Sequence, residues 1–263
     1  MKRILVAINS LVTTTHPAYS NHIQFFFRLG RSYTDIDFIL FNPSRMSIDR
    51  MRNAAAVTAI QQECDGLLFL DDDVLVPING LKKLLVADAD VAAGNVIIRG
   101  YPFENMWFKY TDAEKKDMRP MPDANLPETP GLIDVDAVGF SFCLIKVDAL
   151  RKLPAPFFVT GLTNTEDIYF CLKLKDAFPE AIIKVDTSLG CAHILWNETI
   201  SSANKLEYKK YYETQNMDQA EEQRIKLESS SLPPRKTDDR GLSYYGEMKD
   251  LVTNLDIKDI SHD

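Results

Sequence analysis

The chain has 263 residues, 45% of them hydrophobic and 26% charged, enough to bury a sizeable core and ordinary for a water-soluble globular protein. With 30 Lys and Arg against 38 Asp and Glu, the formal net charge is −8. That balance argues against coating nucleic acid with a broad basic surface, and leaves room for an enzyme that holds an anionic ligand through a bound cation. No stretch approaches the roughly 20 apolar residues of a membrane span, and the first apolar run is too short for a signal peptide. Cys64, Cys143, Cys171 and Cys191 form no C-x-x-C pair and sit in apolar stretches, the pattern of buried, reduced thiols. A soluble, cytoplasmic protein is the expectation. The compact form would also suit a virus- or phage-encoded enzyme acting in the host cytoplasm.

Ile4-Leu5-Val6-Ala7-Ile8 is a continuous apolar run stopped by Asn9-Ser10, which predicts a buried strand. Residues 21–32 place Ile23, Phe26, Phe27 and Leu29 at helical spacing. Residues 37–41 predict a second strand, ended by Asn42-Pro43. Ser47 is the expected N-cap of a helix reaching about Cys64. Gly66-Leu67-Leu68-Phe69-Leu70 predicts a third strand, followed directly by Asp71-Asp72-Asp73. A helix over 81–87 and a fourth strand over 91–98 complete the series. This alternation predicts an α/β fold with a mostly parallel central sheet and helices on both faces, Rossmann-like in character. Ligands of such sheets bind at the carboxyl ends of the strands, where Ser10, residues 42 to 45 with Arg45, and the Asp71 run all fall.

From 99 to 131 the composition turns to Pro, Met, Asp and Lys, predicting a long loop or a small excursion beyond the sheet. Strand-like runs resume at 132–136 and 140–147, a short amphipathic helix at 166–177, and further strands at 181–185 and 189–195. Beyond Asn197 the chain becomes polar, with a charged helix expected over 204–228, a Ser/Pro-rich linker over 229–239 and a weak helix over 242–255. The organisation read from this is a catalytic domain over 1–200, carrying an insert at about 99–131, and a polar helical extension over 201–263.

Three adjacent carboxylates at a strand end repel one another unless a positive group sits among them. A divalent cation relieves that strain, because hard cations take oxygen ligands and alternate residues such as Asp71 and Asp73 can converge on one side. An acidic turn serving only solvation is seldom wedged between two apolar runs, as this one is between Leu70 and Val74.

Leu67-Leu68-Phe69-Leu70-Asp71-Asp72-Asp73-Val74-Leu75-Val76-Pro77 resembles the Asp-x-Asp segment of glycosyltransferases with the GT-A fold, especially those similar to family 2. The resemblance implies Asp71 near the donor ribose, with Asp72 beside it, and Asp73 on a metal that bridges the donor diphosphate. It implies a donor-facing Arg52-Asn53 pair in the preceding helix, with Arg52 suited to fork-like hydrogen bonding. Thr165-Glu166-Asp167-Ile168 resembles the Glu-Asp motif that opens the acceptor-side helix of inverting members, which implies Asp167 as the general base and Glu166 in support. Gly139-Phe140-Ser141-Phe142 resembles a small-residue turn lining the acceptor pocket. His193 falls where several such enzymes place a metal-binding histidine. The implied metal set is thus Asp71, Asp73 and His193 with Mn²⁺ or Mg²⁺, and the implied donor is a nucleoside-diphosphate sugar, a UDP-sugar first among them.

The reading is a metal-dependent, inverting glycosyltransferase. The alternatives are a nucleotidyltransferase-like metal enzyme, disfavoured because residues 9–13 lack glycine and lysine, and an inactive sugar-nucleotide-binding module, disfavoured by the intact acidic run. The acceptor is left open among glycan, small molecule, protein and modified nucleobase. Self-association through the C-terminal helices is left open as well.

Overall fold

The computed structural model describes residues 2–10, 16–43, 46–112, 118–121, 127–161, 164–195, 198–214, 236–237 and 243–244. In chain order the elements are β1 (Lys2–Asn9), α1 (His16–Ser32), β2 (Ile36–Phe41), α2 (Ile48–Gln61), β3 (Gly66–Asp71), β4 (Val74–Leu75), α3 (Gly80–Val86) and β5 (Val91–Asn95). There follow β6 (Trp107–Tyr110), β7 (Met118–Pro120), β8 (Leu132–Asp134), β9 (Ala137–Val138), β10 (Phe142–Lys146), α4 (Val147–Arg151), α5 (Glu166–Ala177) and β11 (Ile183–Gly190). The last are β12 (Ala192–Leu195), β13 (Glu198–Ile200), α6 (Lys205–Thr214) and the two-residue strands β14 (Lys236–Thr237) and β15 (Ser243–Tyr244).

Seven strands form the central sheet in the order β2-β1-β3-β10-β5-β11-β8. β1 runs parallel to both β2 and β3, and β5 parallel to β11, while β10 and β8 run antiparallel to their neighbours. The expected Rossmann-like, mostly parallel α/β architecture is what the chain forms. Its strands read as unbroken apolar runs because both faces of the sheet are covered. Leu5, Ala7, Leu67, Phe69, Cys143 and Ile145 point into one cluster with Ala55, Ala56 and Ala59 of α2 and Phe170 and Leu174 of α5. Their neighbours Ile4, Val6, Ile8, Leu68, Leu70 and Leu144 point into another, with Phe25 and Leu29 of α1 and Leu81 and Leu84 of α3. The alternation of side chains along a strand thus assigns one set of helices to each face. All four cysteines are free and buried, as their apolar surroundings required.

Several boundaries differ from the sequence reading. The first helix begins at His16 rather than near 21, and the fourth strand stops at Asn95, since Val96 to Ile98 lead into a hairpin. Of the two expectations for 99–131, the small excursion beyond the main sheet is the one that forms. β6 pairs with β7 and with β9 in a small sheet of its own, with Trp107 buried against the main core. Val147 begins a short helix instead of ending a strand. The run 189–195 divides at Cys191 between β11 and β12, beyond a register shift in β11 after Asp186. Ser243–Tyr244 is extended and pairs with β14 where a helix was expected. The remainder of the expected linker and terminal helix, and the charged helix beyond Thr214, lie outside the described residues. No helix among the described residues is long and apolar enough to cross a membrane.

Candidate active site

β1 and β3 are in register so that Asn9 stands opposite Asp71, and both strands end there. The Asn9 side-chain amide donates to Asp71 Oδ1 at 3.3 Å. The chain then turns through Asp72 and Asp73 into β4. Two residues of α1 hold that turn from beneath. Asn21 accepts from the Val76 amide at 2.8 Å and donates to its carbonyl at 3.0 Å, and the buried His22 donates through Nε2 to the Val74 carbonyl at 3.2 Å. Burial, with the Val74 bond opposing it, keeps the His22 imidazole below its ordinary pKa.

Arg52 reaches the site from α2. Its side chain is 3% exposed, with the guanidinium carbon 5.1 Å from the centre of the Phe69 ring and 5.4 Å from that of Phe140. Nη2 lies 3.3 and 3.4 Å from the two oxygens of Asp71. Nε lies 3.0 Å from Oε1 of Glu166, close enough for an ion pair but not aligned as a hydrogen bond. Burial pulls the guanidinium pKa down, yet Asp71, Glu166 and Asp167 together hold it above its usual value, so the cation is permanent. Glu166 shows the reverse balance. Burial raises its carboxyl, Arg52 opposes, and Asp167 and Asp71 add to the rise, leaving its pKa at about 7.

Asp167, beside Glu166 at the start of α5, is 6% exposed. Its Oδ1 accepts from the Thr165 hydroxyl and from the Ile168 amide, the latter at 2.8 Å. Oδ2 faces the bare α-carbon of Gly139. A Cβ there would lie 3.5 Å from Oδ2 and only 2.5 Å from Cε of Met106, so Met106 packs against this carboxylate's flank in a space that only glycine leaves free.

His193 arrives from the other side of the sheet's end. β12 pairs with β4 antiparallel, setting His193 opposite Val74, and the Ile194 amide donates to the Asp73 carbonyl at 2.8 Å. His193 Nδ1 donates to the Ile97 carbonyl at 2.9 Å, which fixes the ring and leaves Nε2 facing Asp73 Oδ1 at 3.5 Å. Arg99 Nη1 meets the other oxygen, Oδ2, at 2.7 Å. Burial would raise the Asp73 carboxyl, but the His193 hydrogen bond, the His193 charge and Arg99 outweigh it and draw the pKa below its ordinary value. Asp72 goes the other way, raised mainly by burial and also by its two acidic neighbours, while the Ser10 hydroxyl that bonds it works against the rise.

The structure therefore gathers Ser10, Arg52, Asp71, Asp72, Asp73, Glu166, Asp167 and His193 at the carboxyl ends of β1 and β3. Asn53 turns elsewhere. Its amide nitrogen donates to the Asp49 and Phe158 carbonyls, and its oxygen accepts from the Phe157 and Phe158 amides, so it pins the segment before α5. Arg45 lies outside the described residues. Ser47 takes the N-cap position of α2, but its hydroxyl makes no cap bond. Asp71, Asp73 and His193 do not converge as a threesome. Asp71 is engaged by Arg52 and Asn9, and among the described residues no cluster of three or more His, Cys, Asp or Glu side chains is arranged to hold a metal. Asp73 and His193 do offer one point between a carboxylate oxygen and an imidazole nitrogen where a shared proton or a cation fits. Mn²⁺ accepts that mixed donor pair, with its other positions left for phosphate or water oxygens. Sequence reasoning missed Arg99, Asn21 and His22, whose partners lie in other elements and leave no local pattern.

No protein-family model matches the sequence, and no curated protein does. Among solved structures, A197 from STIV is similar, at 23% identity over 73% of this chain and 86% of that one, with a TM-score of 0.48. A glycosyltransferase involved in the glycosylation of the major capsid of PBCV-1 is similar at 12% identity over 70% of this chain and 81% of that one, with a TM-score of 0.39. Apo UDP-glucose pyrophosphorylase is similar at 8% identity over 81% of this chain and 98% of that one, with a TM-score of 0.44.

Proposed function

We propose that the protein is a glycosyltransferase that moves a sugar from a nucleoside-diphosphate donor to an acceptor hydroxyl, with inversion at the anomeric carbon. One observation carries this reading. Asp71, the last residue of β3, and Glu166, of the pair that opens α5, meet at a single buried guanidinium, that of Arg52, so donor-side and acceptor-side groups share one site.

In this reading Asp71, held by Asn9 and Arg52, receives the donor ribose, while Ser10 and Asp72 border the same cleft. Asp73 and His193 would hold a divalent cation, which would supply positive charge to the departing diphosphate. Asp167 takes the acceptor proton. Thr165 and Ile168 fix Oδ1, which leaves Oδ2, on the Gly139 side, as the oxygen that would receive the proton. As the acceptor oxygen bonds to the anomeric carbon, the bond to the diphosphate oxygen breaks on the opposite side and the hydroxyl proton passes to Oδ2. Phe69, Phe140 and Phe158 wall the inner end of the site and exclude water from the Arg52 cluster.

The test is a screen of UDP-, GDP- and CDP-sugars with purified protein and Mn²⁺, scored by released nucleoside diphosphate. Metal-dependent release that vanishes in Asp73→Asn is the expected result. Transfer of the nucleotide rather than the sugar, seen by mass spectrometry, would instead identify a nucleotidyltransferase. Absence of any metal-dependent binding or release across the panel would sink the proposal.

A further inference from the structure

The geometry points to Arg99 as a resident cation on Asp73 that a divalent ion displaces, its guanidinium then passing to the donor diphosphate. This rests on the donor reading above. Both oxygens of the Asp73 carboxylate already face nitrogen: Oδ2 meets Arg99 Nη1 at 2.7 Å, and Oδ1 meets His193 Nε2 at 3.5 Å. A metal shared between Asp73 and His193 needs the carboxylate that Arg99 now neutralises. With three acids in a row, positive groups must stand among them before a ligand arrives: Arg52 serves Asp71, and Arg99, beside His193, serves Asp73.

The surroundings of Arg99 fit an exchange. Its backbone is anchored on both sides. The Ile97 carbonyl is taken by His193, Ile97 bridges to Asn105, and the Ile98 amide donates to the Glu104 carbonyl at 2.8 Å, closing a hairpin. The C-terminal helix α6 grips that hairpin: Phe103 packs edge-on against Tyr208, and the buried Lys205 donates to Asn105 Oδ1 at 3.1 Å. The Arg99 side chain itself is 54% exposed, against 23% for Asp73. An ion pair that open to solvent adds little to folding stability, so breaking it costs the fold almost nothing. Once a doubly charged ion occupies Asp73, the guanidinium is repelled from its old partner. A diphosphate held by that ion would offer oxygens that suit the planar fork of arginine. The hairpin base and α6 stay in place while the side chain changes partner.

Two binding measurements on the full chain test this: Mn²⁺ alone, followed by the electron paramagnetic resonance of the free ion, and UDP, GDP or CDP by calorimetry at saturating Mn²⁺. Arg99→Ala should bind Mn²⁺ roughly two- to fivefold more tightly, because the competing cation is gone. The same variant should bind the nucleoside diphosphate about tenfold more weakly or worse, because the charged hydrogen bonds are lost. Arg99→Lys should match the wild type for Mn²⁺ and fall between the two for the nucleotide. Unchanged or weaker Mn²⁺ binding in Arg99→Ala, or an unchanged nucleotide affinity, overturns the exchange while leaving the transferase reading intact. A wild-type chain that binds no Mn²⁺ overturns both.

Discussion

Arg52 Nη2 stands 3.3 Å from Asp71 Oδ1, and the pair closes the buried end of the candidate site. The guanidinium is sealed by the Phe69 and Phe140 rings and also faces Glu166 at 3.0 Å, so one fixed cation serves two carboxylates from different elements. Removing it leaves Asp71 with only the Asn9 amide, and Glu166 buried without a cation beside it. Arg52→Met is expected to lose about 3–5 kcal/mol of stability by urea unfolding at neutral pH. Arg52→Lys should lose less, keeping the charge but not the fork. An Arg52→Met protein as stable as the wild type would mean that water or another cation reaches these carboxylates.

Glu166 makes stability depend on pH in a definite direction. Its folded pKa, about 7, lies above the ordinary value of 4.5. Between those values the folded chain binds more protons than the unfolded one, so this group's contribution to stability falls as pH rises from about 4.5 to about 7. Glu166→Gln removes that dependence. The melting temperature of the variant relative to wild type should therefore climb from pH 5 to pH 8. A difference that stays flat or declines over that window would contradict the assignment.

Asn53 separates support from ligand contact. Its amide joins α2 to Phe157 and Phe158, ahead of the helix that carries Glu166 and Asp167. Asn53→Ala should cost about 2–3 kcal/mol in stability, leaving backbone groups of that segment unpaired. Nucleotide affinity at a temperature where the variant is folded should stay at the wild-type level. Calorimetry that found the affinity lost in a fully folded Asn53→Ala would place the residue on the ligand instead.

Asp167 carries the proton transfer in the proposed reaction. Asp167→Asn retains the shape and the ability to accept from Thr165 and Ile168, but cannot take the acceptor proton. Steady-state kinetics should show kcat lower by roughly 10²–10⁴-fold with Mn²⁺-dependent nucleotide binding preserved. A variant that loses nucleotide binding in parallel with kcat would show Asp167 acting on the donor side.

The amino-acid sequence by itself determined the sheet and the position of its acidic end. Unbroken apolar runs at Ile4, Leu67 and Val91 can only be satisfied with both faces covered, and the change from apolar to acidic at Leu70-Asp71 marks a strand end on the ligand side. The Glu166-Asp167 pair was legible for a similar reason, since acids at the start of a helix stand out in any linear reading. What tertiary structure alone decided is which groups these residues face. Arg52 and Asn53 are neighbours in α2, yet one faces Asp71 and the other holds the Phe157–Phe158 backbone, because adjacent helical positions point about 100° apart. The small sheet of β6, β7 and β9 arises from short pairings without a strong apolar period, so its segment reads as a long loop or a small excursion, and its strands are not visible in the sequence. Arg99 shows the limit most plainly: an arginine directly after the apolar run Val96-Ile97-Ile98 becomes the partner of Asp73 only when the hairpin and β12 fold against the end of β3. Partner identity is a through-space property, and periodicity along the chain carries no record of it.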